Sequence, residues 1–287
     1  MRERVIRIGE PVPLAGIMSE PDQPAPARTA MLLMNSGVMH RVGACRLSVR
    51  IAREVCGQLK IPTVRFDFSG VGDSEARHQT ADFEAAGERE VREVMDYLAA
   101  TRGITQFILY GLCSGAHVAC RVAAVDPRVR YLIQIDGHCY ATWKSKLRHY
   151  GKRLLSPGRW PRALARLLRG DRRPRTGAEI AGVDPNFFEV PDFGLTPRRE
   201  EIAKRLQGVI SNGVALYCIY TGNDPTYNYK NQFRDCYHEV DFGDRLTLSH
   251  VPDSSHIVPE PDSQIAVVTG IVDWLKSQNV PDHPETA

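Results

Sequence analysis

Between residues 29 and 136, short apolar runs alternate with longer stretches whose apolar side chains recur every three or four positions. The runs are Thr29 to Met34, Pro62 to Phe68, Gln106 to Tyr110 and Tyr131 to Ile135, and their near-continuous hydrophobicity suits strands buried on both faces. Leu47, Ile51, Val55 and Leu59 form a four-residue stripe, and Val91, Val94, Met95 and Leu98 mark a longer helix. Strands that alternate with helices imply a parallel sheet covered on both sides. Ahead of this pattern, Val5 to Ile8 and Val12 to Met18 flank the turn Gly9-Glu10-Pro11 and read as a strand pair. The alternation breaks over 140–208, then resumes with strands at Ala215 to Tyr220 and Leu246 to His250, a helix near 226–237 and a last helix carrying Ile265, Val268, Ile271, Val272 and Leu275. The predicted fold is α/β: an eight-stranded, mostly parallel sheet built from 1–139 and 209–287, with 140–208 inserted after the sixth strand, over the sheet edge where such folds bind ligands.

Charge is unevenly placed. The 287 residues carry a net +3, yet 141–176 hold twelve Lys or Arg against one acid, Asp171, so this segment is +11 on a body of −8. The chain has no run of eighteen apolar residues, and MRERVIRIGEPVPLAG lacks the features of a secretory signal, so a cytoplasmic location is expected. The seven cysteines are odd in number and scattered without a CxxC pair, which speaks against disulfides and structural zinc. Neither a metal cluster nor a cofactor motif is visible in the spacing, and any thiol chemistry falls to a single residue.

That residue is marked by Tyr110-Gly111-Leu112-Cys113-Ser114-Gly115-Ala116, between a predicted strand and a predicted helix. A turn that exposes a nucleophile there is sharp and strained, and needs small residues two before and two after it. Cys113 satisfies this with Gly111 and Gly115; Ser114 would place Leu112 at a position with no room for it. A cysteine at a helix start also meets free N–H groups and the positive end of the dipole, which favour a thiolate.

With that turn the chain resembles the α/β-hydrolase superfamily over nearly its whole length. Arg65-Phe66-Asp67-Phe68-Ser69-Gly70-Val71-Gly72-Asp73-Ser74 is similar to the glycine-rich loop after the fourth strand, and Asn35-Ser36-Gly37-Val38-Met39-His40-Arg41-Val42-Gly43 sits where the superfamily keeps its oxyanion loop. This loop and the basic insertion look most like a bacterial subgroup of hydrolases found near exosortase and exopolysaccharide genes. Two departures stand out: Cys113 replaces the usual serine, and Asn35-Ser36-Gly37 replaces the usual His-Gly.

The superfamily's order of nucleophile, acid and histidine implies roles for Cys113, Asp224 and His256, with Asp136 a credible substitute for Asp224. The resemblance places the oxyanion hole at the backbone N–H of Ser114 and one from Gly37 or Val38. His40 and Arg41 share that loop and are candidate substrate contacts, as is Trp160 in the insertion; Asp67 and Asp73 read as loop-holding residues. His117 reads as an internal packing residue and His250 as a strand-end residue.

Around Trp160, Leu164, Leu167 and Leu168 form an apolar side with arginines opposite, as expected of a lid helix over an apolar cleft. The arginine face suits an acidic acyl carrier protein or coenzyme A phosphates; contact with an anionic membrane surface is a further reading. Sparse aromatics, the lack of a reading motif and the acidic body argue against nucleic acid. Thiolate attack yields a thioester, which stays reactive toward amines, alcohols and carbanions. The expected activity is therefore acyl transfer through acyl-Cys113, drawing on an acyl thioester as thioesterase, acyltransferase or cyclase. A carboxylester or lactone hydrolase is the alternative, and a non-catalytic binding protein on the same scaffold is a third reading.

Overall fold

The computed structural model describes residues 1–22, 27–77, 83–154, 197–222 and 226–280. Eight strands form one sheet: β1 (Arg2–Ile8), β2 (Leu14–Glu20), β3 (Thr29–Leu33), β4 (Thr63–Phe66), β5 (Gln106–Leu112), β6 (Val129–Ile135), β7 (Ala215–Thr221) and β8 (Leu246–Val251). Their order across the sheet is β1-β2-β4-β3-β5-β6-β7-β8. β2 runs antiparallel to β1 and β4, and every pairing from β4 to β8 is parallel. This is the α/β-hydrolase fold expected from the sequence.

Helices cover both faces. α1 (Leu47–Leu59) lies on one side, and α2 (Phe83–Arg102) and α3 (Ser114–Ala123) on the other. α4 (Trp143–Leu154), α5 (Arg199–Ser211), α6 (Gln232–Cys236) and α7 (Pro261–Ser277) follow in chain order. The α1 stripe, Leu47, Ile51 and Val55, meets Val268, Ile271 and Val272 of α7 over one face; Val91, Val94 and Leu98 of α2 join α3 over the other. Central strands read as continuous hydrophobic runs because both their faces are enclosed, and all five residues of β3 are buried.

α5 starts at Arg199, ahead of the expected boundary at 209, and buries Ile202, Ala203, Leu206 and Val209 in the main core beside α3. Its stripe is diluted by Arg199, Glu200, Glu201, Lys204 and Arg205, which disguised it as part of the polar insertion. At the other end of the insertion, α4 is anchored by Lys144 to Asp235 at 2.9 Å and by the Arg148 guanidinium over the Tyr229 ring at 5.1 Å. The segment holding Trp160 and the expected lid helix lies outside the described residues. No helix among the described residues is long and apolar enough to cross a membrane.

Candidate active site

β5 ends at Leu112 and α3 begins at Ser114, so Cys113 alone makes the turn, at φ 53° and ψ −119°. A side chain rarely occupies that region without surrounding structure to hold it there. Here the hold is close packing of backbone on backbone. A Cβ added to Gly111 would stand 2.2 Å from the carbonyl carbon of Gly115, and one added to Gly115 would stand 2.4 Å from the carbonyl oxygen of Asn35. The Cys113 N–H donates to the Ile135 carbonyl at 2.9 Å, and its half-buried thiol faces a cleft of about 560 Å³.

His256 lies in the loop between β8 and α7, and half of its side chain is exposed. Its Nδ1 is 2.8 Å from Asp136 Oδ2, and the ring lines the same cleft as the Cys113 thiol. With Nδ1 turned to the carboxylate, Nε2 is left for the sulfur and for substrate. The Asp136 carboxylate, then Cys113, pushes the imidazole up to about 10 against the opposing effect of desolvation. The arrangement therefore favours an imidazolium at neutral pH.

Asp136 follows β6 directly, in a left-handed conformation at φ 48°. Thr221, the last residue of β7, fixes its carboxylate: the backbone N–H donates to Oδ1 at 2.7 Å and the hydroxyl to Oδ2 at 2.6 Å. Asp224, the expected acid, lies in 223–225, outside the described residues. Among the described residues, the carboxylate brought to His256 is Asp136. His250, paired with Tyr220 in β8, donates from Nε2 to the Gly222 carbonyl, 2.9 Å away, and takes no part in this cluster.

The loop after β3 is fastened from several sides. Asn35 Nδ2 donates to the Met39 carbonyl at 2.7 Å, and its Oδ1 accepts from the Phe68 N–H at 2.6 Å. The Gly37 N–H donates to Ser114 Oγ at 2.7 Å, so that amide is already committed. Val38 comes next, on an exposed stretch, while the Ser114 N–H, at the first position of α3, has no carbonyl a turn earlier in the helix to donate to. Arg41, expected at the substrate, is occupied: its guanidinium pairs with Asp67 and Asp73, and its N–H donates to Asp67 Oδ1 at 2.5 Å. His40 is exposed beside it.

One group escaped the sequence reading altogether. Glu84 of α2, His117 of α3 and His138, two residues past Asp136, converge with their potential ligand atoms within 4.8 Å of one another. The imidazoles of His117 and His138 stack 3.4 Å apart at 11°. Burial pushes them down, to about 3 for His117 and about 4 for His138, so both rings are neutral at pH 7. Separations of 33 and 21 residues carry no spacing signal; only the packing of α2 on α3 makes the cluster.

A nucleophile at a strand-to-helix elbow, followed along the chain by an acid and a histidine on later strand ends, defines the α/β-hydrolase class. Residues 39–267 match the family model described as the alpha/beta hydrolase family, and the chain belongs to that family. No curated protein matches the sequence. Among solved structures, the chain is similar to a serine hydrolase without a lid from Xanthomonas campestris, at 18% identity and a TM-score of 0.58, covering 98% of this chain and 97% of that one. Est1E from Butyrivibrio proteoclasticus gives 14% identity and 0.59, covering 96% and 98%. A cold-adapted esterase from an Arctic intertidal metagenomic library gives 14% and 0.56, covering 96% and 92%.

Proposed function

We propose that Cys113, His256 and Asp136 form a catalytic triad that transfers acyl groups through an acyl-cysteine intermediate. The observation that carries this reading is one imidazole hydrogen-bonded to a carboxylate fixed by Thr221, in the same cleft as the elbow thiol. The thiolate attacks the carbonyl carbon of an activated acyl group, and the electron pair of the C=O moves onto oxygen. In this reading the N–H groups of Ser114 and Val38 receive that oxyanion. Collapse expels the leaving thiol or alcohol, protonated by the imidazolium at Nε2, and leaves the acyl group on sulfur. His256, now neutral, then takes the proton from the second nucleophile as it attacks the thioester.

Acyl thioesters fit best as donors, because thiol-for-thiol exchange is nearly balanced in energy and the product thioester remains reactive. The basic segment 141–176 supplies the charge that an acidic carrier protein or coenzyme A would meet. The resemblance of loop 35–43 to hydrolases near exosortase genes belongs to the same reading. A carboxylester or lactone hydrolase is the second reading, favoured by the cold-adapted esterase among the similar structures. Intact-mass measurement after mixing with acyl-coenzyme A and with p-nitrophenyl esters tests both. An added acyl mass from the thioester, absent in Cys113→Ala, is expected. Turnover of esters with indifference to thioesters would select the second reading, and ester turnover intact in Cys113→Ala would remove the triad.

A further inference from the structure

The cluster of Glu84, His117 and His138 touches the cleft but has no part in the acyl chemistry above. Both histidines line the cleft wall, His117 one helical turn beyond Cys113. His138 Nε2 is buried without a hydrogen-bond partner. A buried imidazole nitrogen left unpaired is costly, and such sites commonly owe their partner to a water or an ion. A void of about 10 Å³, enough for one water-sized particle, abuts the pair between α3 and α5. The backbone of His138 is held in place by Tyr237, whose hydroxyl donates to its carbonyl at 2.9 Å.

Glu84 divides its oxygens. Oε2 faces Arg121 at 3.3 Å and Arg205 at 3.6 Å, while Oε1 faces His117 Nδ1 at 3.7 Å, too far for a good hydrogen bond. The guanidiniums thus orient the carboxylate and leave one oxygen turned to the rings, the outer-shell arrangement that ligating carboxylates have. Arg121 is itself shared with Glu88 at 3.2 Å.

We propose that Glu84 Oε1, His117 and His138 form a binding site for a zinc-class divalent transition ion, with its remaining position open to the cleft. Two imidazoles and one carboxylate with an open position are a donor set that zinc takes. The nearby arginines raise the cost of any cation, which selects one that gains strongly from imidazole nitrogen over oxygen-seeking Mg²⁺ or Ca²⁺. Donors around tetrahedral zinc stand about 3.3 Å apart. Binding therefore draws the three atoms together and turns the stacked rings edge-on, a rotation about soft terminal torsions.

The test uses full-length, untagged, chelator-stripped protein titrated with Zn²⁺ by calorimetry and with Co²⁺ by absorption. One equivalent is expected in wild type and equally in Cys113→Ala, with cobalt d–d bands and without the intense near-ultraviolet band of thiolate ligation. His138→Ala and Glu84→Gln, checked for unchanged circular dichroism, should weaken binding about tenfold to a hundredfold. If a variant unfolds, imidazole ¹⁵N shifts of the wild-type protein with Zn²⁺ report the ligands directly. No saturable binding in wild type, meaning that an ordered water alone satisfies His138, overturns the site. So does binding that vanishes in Cys113→Ala and survives in His138→Ala.

Discussion

At the scale of single residues, His256 gathers the site's charge logic. Its imidazole is held up to about 10 by Asp136 and then by Cys113. A folded-state value above the ordinary 6.5 means that the interaction stabilises the fold fully below about pH 6.5 and is lost as pH rises through about 10. The same window would govern the proposed reaction, in which the imidazolium protonates the leaving group. We predict an alkaline limb of activity near pH 10 that moves toward neutrality in Asp136→Asn, with the His256 ring titrating lower by NMR. An unmoved titration in that variant would show that Asp136 does not hold the proton on His256. The identity of this acid illustrates the limit of sequence reading. Asp136 and Asp224 both stand just past a strand in turn-prone surroundings, and nothing in either neighbourhood states which strand end lies nearer His256. Among the described residues, the register of β6 and β7 places Thr221 where both its donors meet the Asp136 carboxylate.

At the scale of elements, the strands and the elbow were legible because their causes are local. Burial on both faces writes continuous apolar runs, and backbone crossing at Cys113 writes two glycines. The start of α5 was not legible, since a helix packed along one stripe and rimmed by charges looks like polar sequence until its partner α3 is in place. The Glu84, His117 and His138 group was still less so, because three elements meet there without any sequence period. The elbow glycines make a prediction of their own. In Gly115→Ala the new methyl meets the Asn35 carbonyl oxygen, a backbone atom that cannot swing aside as a side chain would. A displacement of the loop after β3 is expected, with a loss of about 1–3 kcal/mol by urea unfolding. Activity should fall further than stability alone explains, because the same loop carries Val38. A variant as stable and active as wild type would mean that this contact does not set the loop.

At the scale of the molecule, all the candidate chemistry stands along one edge of the sheet, at the carboxyl ends of β3 through β8, where the strand order reverses between β3 and β5. The loops there come from distant parts of the chain and must be tied to one another before they can present donors to a substrate. Asp67 is the knot. Fully buried, it accepts from the Arg41 N–H and guanidinium, from Asn35 Nδ2 at 3.1 Å and from the Asp73 N–H at 3.1 Å. Every one of these neighbours is a donor, so the isosteric change Asp67→Asn sets an NH₂ against N–H groups whichever way the amide is turned. It also leaves the Arg41 guanidinium without its buried counter-charge. Breaking such a pair costs about 3–5 kcal/mol, which should appear as a lowered urea midpoint with an unchanged slope. The cleft walls formed by Tyr140, Tyr220 and Tyr227 do not depend on this knot, so KM should hold while kcat falls as the Val38 donor drifts. Equal loss in KM and kcat would assign Asp67 to substrate binding. A destabilised variant with full kcat would separate the knot from the reaction and remove Val38 from the oxyanion site.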